Sequence, residues 1–420
     1  MNYFEAMRYI NSFGKSGEAV LNLDRFREIM HDLGDPQDTL PFVHVAGTNG
    51  KGSVTRMIAE TLTLSGYRTG EFTSPFIHVY NDRMKIDGAV IPNYALSEIV
   101  SRLKPVFDRS KRRFSQFELT TAIAFLWFYY SRCDIVVLET GIGGLLDCTN
   151  IIETTAVSVI TSVSMDHTAI LGETLTQIAE QKAGIIKPRT PVVISPNQAD
   201  EVFTVIMRTA AKMKADVIEP EVRKINIKSI FPAKNEFMYK GMPYQLRMCG
   251  RHQIQNAVTA IETLEILKKS GLKKITYSTV FEGIEAAYLP SRCQVVKMQS
   301  PMIIIDGAHN PDGMKKLASF IREIPKTPKI MIVGMREDKD WYNALSEITR
   351  YIDRAVCVDG FVPGTVKAEH LAALFENAVT ASITTAFSTA VNMAGDSGVV
   401  IIGGSLCLPK QITEYRIQIL

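Results

Sequence analysis

His44-Val45-Ala46-Gly47-Thr48-Asn49-Gly50-Lys51-Gly52-Ser53 passes from a short apolar run into a glycine-rich turn and then into a helical pattern. Phe42 to Ala46 has the apolar look of a buried strand, and Val54, Ile58, Ala59 and Leu62 recur at the spacing of one helix face. Strand, glycine turn and helix together make a phosphate cradle. Glycines let backbone N–H groups and the helix N-terminus face an anion, and Lys51 adds a mobile positive charge. The match to the usual P-loop is irregular: Gly52 follows the lysine where Ser or Thr is common, and Ser53 comes one place later. A glycine-lysine turn without a ligand stays open as a reading of this stretch alone.

Working outward, the pattern is that of an α/β protein. Asp134 to Glu139 and Thr155 to Ser162 are apolar strands that end in polar groups, Glu139 with Gly141-Ile142-Gly143-Gly144 and then Asp166-His167. Tyr67 to Thr73 is another, running into Ser74-Pro75-Phe76 and a loop with Asn81, Asp82 and Arg83. An open, mostly parallel sheet places its ligand site at such strand ends. Helices are expected at Tyr3 to Phe13, Asp24 to Leu33 (with Asp24 as N-cap), Asn93 to Phe107, Gln116 to Ser131, Leu175 to Ala183, Asp200 to Met213 and Gln253 to Lys269. Alternation over Glu221 to Met248 suggests antiparallel hairpins on the edge of that sheet. The basic run Lys111-Arg112-Arg113 reads as a solvated face.

At 420 residues the chain exceeds one ordinary core, so two domains are expected, 1–294 and 295–420. The second repeats the α/β rhythm, with strands at Met302 to Ile305, Lys329 to Val333, Ala355 to Val358 and Val399 to Ile402. Asp306-Gly307-Ala308-His309-Asn310-Pro311 follows the first of these, and Arg292 lies upstream. Asp306, His309 and Arg292 are therefore expected to reach a nucleotide from the other side of a cleft between the domains. Asp338-Lys339-Asp340 and Gly403-Gly404-Ser405 would line the same edge, with helix capping as the plainer reading.

A net charge of +3 gives no case for nucleic acid or a membrane surface, and six scattered cysteines indicate neither a zinc site nor a disulfide framework. The first residues lack a secretion signal, and the longest apolar run, Thr120 to Tyr130, is too short to span a bilayer. A cytoplasmic protein is expected, and nothing in the sequence calls for more than a monomer.

Taken jointly, Gly47 to Ser53, Thr73-Ser74-Pro75, Glu139 with Gly143-Gly144 and Asp147 to Asn150, Asp166-His167, Lys182 to Lys187, His252-Gln253 with Asn256, and Asp306 to Pro311 resemble the folylpolyglutamate synthase and dihydrofolate synthase family, relatives of the Mur ligases. The resemblance implies an N-terminal P-loop-type ATPase domain and a smaller C-terminal Rossmann-like domain for glutamate ligation. It implies an ATP-dependent ligase of folate and one-carbon metabolism that joins L-glutamate to a reduced folate or to dihydropteroate. An acyl phosphate is the intermediate, and ADP and phosphate are the products. By the same resemblance Gly47, Thr48, Asn49, Gly50, Lys51, Gly52 and Ser53 hold the phosphates, and Asn256, Arg292 and Asp306 hold ATP. Ser74, Glu139 and His167 bind Mg²⁺, and Lys51, His167, Lys182 and His309 serve catalysis. Lys182 matches a lysine carbamylated in relatives, which would allow a second Mg²⁺, and a monovalent cation also fits the family.

Departures from the family pattern are Leu289-Pro290-Ser291-Arg292, Leu145 after the paired glycines, and Phe76 after Ser74-Pro75; the last tilts the reading toward polyglutamylation. A Mur-type amino-acid ligase of peptidoglycan precursors is the alternative enzyme, disfavoured by the Lys51-Gly52-Ser53 order. A non-catalytic nucleotide-binding module is the alternative of a different class.

Overall fold

The computed structural model describes residues 1–14, 22–110, 112–230, 234–298 and 300–414. Lys111 of the basic run lies outside the described residues. Strands Phe42–Ala46 (β1), Thr69–Phe72 (β2), Met84–Ile86 (β3), Ala89–Val90 (β4), Ile135–Glu139 (β5), Thr155–Ile160 (β6), Val192–Ile194 (β7) and Val217–Ile218 (β8) form one sheet in the order β4-β3-β2-β5-β1-β6-β7-β8. The pairs from β2 to β8 are parallel, while β3 and β4 add an antiparallel hairpin at one edge. Every residue of β1, β2 and β5 is buried, as in a parallel sheet covered on both faces, and Glu71 of β2 is paired with Arg56 and Lys85.

The covering layers follow from the helix patterns. On one side pack the helices Tyr3–Ser12, Asp24–Asp32, Asn93–Arg109 and Gln116–Tyr130, around Phe26, Phe42, Phe72, Phe125 and Phe128. The helix Gln116–Tyr130 is buried almost all round and starts at a reciprocal cap between Ser115 and Glu118. On the same face, beyond β1, Leu175–Ala183 and Asp200–Met213 pack over β6 and β7 through Ile178, Ala179, Val202, Val205 and Ile206, and the helix Lys51–Leu64 packs against β1, β2 and β5. The helix Asp24–Asp32 takes Leu23 as its N-cap, so Asp24 is the first helical residue and serves the helix dipole rather than the cap.

Strands Ile225–Ser229 (β9), Asn235–Tyr239 (β10) and Met242–Leu246 (β11) form a separate antiparallel sheet. The sequence reading had attached them to the edge of the large sheet. Alternation shows that a strand has one wet face, and it carries no information about which neighbour supplies the ladder. Six further strands, Gln294–Lys297 (β12), Met302–Ile305 (β13), Lys329–Val333 (β14), Arg354–Cys357 (β15), Ala378–Thr380 (β16) and Val399–Gly403 (β17), form the third sheet in the order β12-β13-β17-β14-β15-β16. It is parallel except at β12, and separate apolar clusters cover its two faces.

Contacts divide the chain into Met1–Val222 with Asn256–Ala286, and Arg223–Gln255 with Ala287–Leu420. A single cut between residues 294 and 295 would pass through β12, and it would leave the three-stranded sheet with the first unit. Among the described residues no helix is long and apolar enough to cross a membrane. All six cysteines are free.

Candidate functional site

In the first unit, β2, β5, β1 and β6 are neighbours, so their C-terminal ends present four loops side by side. Register places Glu139 of β5 opposite Val45, and Ala46 opposite Ile160 of β6. The glycine loop leaves β1 between them. Gly47 has φ +152°, and a side chain there would fall onto the Thr161 hydroxyl at the end of β6. Gly50 has φ +92°, and a Cβ would lie 2.5 Å from Asn256 Oδ1. The irregular glycine spacing is thus set by close neighbours as well as by turning.

The backbone N–H groups of Thr48 and Asn49 both donate to the carbonyl of Ser162, at 2.8 and 3.2 Å. These two groups anchor the loop to β6 instead of facing an anion, contrary to a cradle made of every N–H in the turn. Thr48 Oγ1 also donates to the Ser164 carbonyl at 2.9 Å. The first helical bond runs from Val54 N to Gly50 O, so the N–H groups of Lys51, Gly52 and Ser53 precede it and remain the anion-facing part of the turn.

Two lysines converge on one carbonyl. Lys51 Nζ donates to Gly47 O at 3.1 Å and lies 3.4 Å from Thr48 O, while Lys182 Nζ donates to Gly47 O at 2.9 Å. Lys182 comes from the last turn of the helix Leu175–Ala183. Burial, and next the charge of Lys51, pull its pKa down to about 7. Two lysine amines gathered at one oxygen, the charge of one opposing protonation of the other, mark a place where negative charge is favoured.

Asp147 holds this arrangement in place. Its Oδ2 accepts the N–H groups of Gly141 and Ile142, each at 2.9 Å, and its Oδ1 accepts from Thr149 N and Oγ1 at 3.0 and 2.6 Å. Burial raises its pKa, and these four donors oppose the rise. Asn150 Nδ2 donates to the carbonyls of Leu145 and Gly184, and Leu145 N donates to Gln181 O. The motif from Gly143 to Asn150 therefore clamps the loop after β5 to the end of the helix bearing Lys182. Thr149 Oγ1 also meets Nε2 of His44, a fully buried histidine whose pKa burial, with help from Lys187, lowers to about 3.

Glu139 is buried, and its Oε2 accepts the N–H of Ser74 at 3.1 Å. His167 adopts the left-handed conformation at φ 51°, with Asp166 accepting its backbone N–H at 2.8 Å. A buried carboxylate and a hydroxyl are hard oxygen donors that suit Mg²⁺, whereas an imidazole is softer. Among the described residues no group of three or more His, Cys, Asp or Glu side chains is set up to hold a metal by itself. Mg²⁺ on nucleotide phosphates typically takes only one or two protein ligands and keeps several waters.

In the second unit, Asp306 directly follows β13. Its Oδ2 accepts from Cys293 N at 2.6 Å and its Oδ1 from Ala308 N at 2.7 Å. Burial raises its pKa, opposed first by Arg292. The structure thus brings Arg292 and Asp306 together. His309 Nδ1 lies 2.8 Å from the Gly307 carbonyl, which can only accept, so Nδ1 carries the proton. Asn310 caps the helix Pro311–Arg322 through Gly313 N, and Asp340 caps Trp341–Ser346 through Asn343 N, as the plainer reading of the Asp340 stretch has it.

Ser162, Thr161 and Asp147 shape the site without having been assigned roles in it. Asp147 stood in a motif and was traceable; the Ser162 carbonyl acts through the backbone and leaves no side-chain signal.

The family description "Mur ligase middle domain" matches residues 45–264, and "Mur ligase, glutamate ligase domain" matches residues 291–406. The chain is 33% identical over 436 aligned residues to the folylpolyglutamate synthase of Lacticaseibacillus casei, covering 99% of this chain and 98% of that one. It is 34% identical to the dihydrofolate synthase/folylpolyglutamate synthase of Bacillus subtilis, covering 82% of each. A solved structure of E. coli FolC in complex with DHPP and ADP superposes with a TM-score of 0.86 at 28% identity, covering 99% of this chain and 97% of that one.

Proposed function

The chain belongs to the Mur ligase family, in the branch of folylpolyglutamate and dihydrofolate synthases, and on that footing we propose that it is an ATP-dependent ligase adding L-glutamate to folates. Tetrahydrofolate polyglutamylation is the main activity, with dihydropteroate as a second acceptor. The observation that carries this reading is the convergence of Lys51 and Lys182 on the Gly47 carbonyl, in a chain similar over nearly its whole length to folate ligases.

A carboxylate oxygen of the pterin attacks the γ-phosphorus of ATP and ADP leaves. The glutamate amine then attacks the acyl carbon, loses a proton and expels phosphate. No protein nucleophile is needed, so the chain's work is positioning and neutralisation. Lys51 and the N–H groups at the start of its helix hold the phosphates; Asn256 of the first unit, and Arg292, Asp306 and His309 of the second, are the further residues assigned to ATP. Ser74, Glu139 and His167 would hold Mg²⁺, which would supply charge neutralisation for the phosphates. The first unit is the ATPase part and the second the glutamate-ligase part.

Lys182 has a distinct role. With a pKa of about 7 its amine is substantially neutral at neutral pH. A neutral amine adds to carbon dioxide, forming an N–C bond and losing one proton, so a cation becomes a carbamate anion able to bind a second Mg²⁺. A monomeric, cytoplasmic enzyme completes the proposal.

The test is to incubate pure protein with ATP, Mg²⁺ and glutamate, and separately with tetrahydrofolate and dihydropteroate. ADP release with a glutamylated pterin is expected. ADP release with neither pterin refutes the folate reading, and release with a UDP-muramyl substrate alone establishes the Mur-type enzyme instead.

A further inference from the structure

Arg83 closes the short turn Tyr80–Arg83 and leads into β3, next to β2 in the sheet. Its carbonyl accepts the N–H of Thr73 at 2.9 Å, which ties it to the loop carrying Ser74. The guanidinium lies 5.2 Å from the Phe76 ring centre and 5.9 Å from that of Tyr80. Its Nε is sealed from solvent and has no hydrogen-bond partner. Burial is the main influence on the Arg83 charge and disfavours it, while Tyr80 and Glu139 favour it. Tyr80 is a poor counter-ion, since burial pushes its hydroxyl up to about 12 and keeps it neutral. Glu139 already accepts from Ser74.

An Nε–H sealed from solvent and left unpaired is unfavourable until an anion completes it. A carboxylate approaching side-on takes Nε and one terminal nitrogen together, a geometry lysine cannot offer. The Phe76 ring that lies against the guanidinium is itself 40% exposed. Resting on the ligase reading above, we infer that Arg83 binds the acceptor's reacting carboxylate and holds it at the strand ends beside Ser74 and Glu139. No role was assigned to Arg83 from the sequence.

The experiment compares the pterin acceptor with its carboxamide analogue, using wild type, Arg83→Gln and Arg83→Lys. Calorimetric binding of the carboxylate weakens about 10- to 100-fold in Arg83→Gln, the range for a charge-assisted pair, with Arg83→Lys between. Carboxamide binding is the same in wild type and Arg83→Gln, and the KM for ATP stays within about two-fold, since uniform phosphate binding is untouched. Equal weakening of carboxylate and carboxamide in Arg83→Gln, or unchanged carboxylate binding, overturns the inference. Should Arg83→Gln fail to fold, the wild-type preference for carboxylate over carboxamide must reach the same factor, and its absence is equally fatal. A wild type that binds the acceptor but shows no carboxylate preference rejects Arg83 alone, whereas a wild type inert with every pterin rejects the ligase reading and this inference with it.

Discussion

Replacing Lys182 with methionine should abolish turnover and at the same time stabilise the protein. The folded-state pKa of this amine lies near 7, below the ordinary lysine value. Between that pKa and about pH 10 the unfolded chain binds the extra proton, so stability rises with pH through this window. At pH 7 the shift corresponds to about 4 kcal/mol of destabilisation, and by pH 9 to about 2 kcal/mol. Against this, methionine forfeits the bond to the Gly47 carbonyl, which costs only about 0.5–1.5 kcal/mol because Lys51 Nζ still donates to that oxygen. The net expectation at pH 7 is a gain of about 3 kcal/mol. The more robust number is the change in the difference between the two proteins, which should shrink by about 2 kcal/mol from pH 7 to 9 because all other titrations cancel. Urea unfolding of both proteins at the two pH values, in buffer freed of carbon dioxide, measures it. A difference independent of pH would refute the assignment of a depressed pKa to Lys182.

Three further outcomes are expected. Lys51→Ala should lose nearly all turnover with its unfolding midpoint almost unchanged, because the side chain is only partly buried and its bonds are to loop carbonyls; circular dichroism melts beside an ADP assay check both halves. Gly50→Ala should cost about 1–2 kcal/mol for the positive φ and displace Asn256, weakening ATP binding in calorimetry while pterin binding holds. Acid should destabilise the protein well above the carboxylate range: His44 is fully buried and His252 half-buried, and desolvation lowers both pKa values to about 3, so the unfolded chain binds more protons from about pH 6 downward, costing about 2 kcal/mol per histidine by pH 5. Replacing His44 by Gln should flatten part of that slope in denaturation curves at pH 7 and pH 5.

Much of this architecture can be read from local patterns. The apolar runs at Phe42, Ile135, Thr155 and Met302 became parallel strands because β-branched residues without polar alternation fit only a sheet covered on both faces. Their polar ends, Glu139, Asp166 and Asp306, followed from the same logic. Legibility stops where a partner lies far along the chain. That Thr48 and Asn49 give their N–H groups to Ser162, more than a hundred residues away, is a backbone event with no residue signature. The placement of β9 to β11 in their own sheet depends on which ladder a half-wet strand joins, and alternation does not encode it. Asp147 was visible as part of a motif, but its four hydrogen bonds, which make it a clamp for the loop beside Lys182, emerge only in three dimensions.

Transfer of the γ-phosphoryl group to the pterin carboxylate is the step on which every assigned role depends, and it leaves an isotopic trace. With the carboxylate of the pterin acceptor labelled in heavy oxygen, turnover with ATP, Mg²⁺ and glutamate should place label in the released inorganic phosphate, read by mass spectrometry. Labelled phosphate is the predicted result; unlabelled phosphate accompanying full amide formation would contradict the acyl-phosphate ligase.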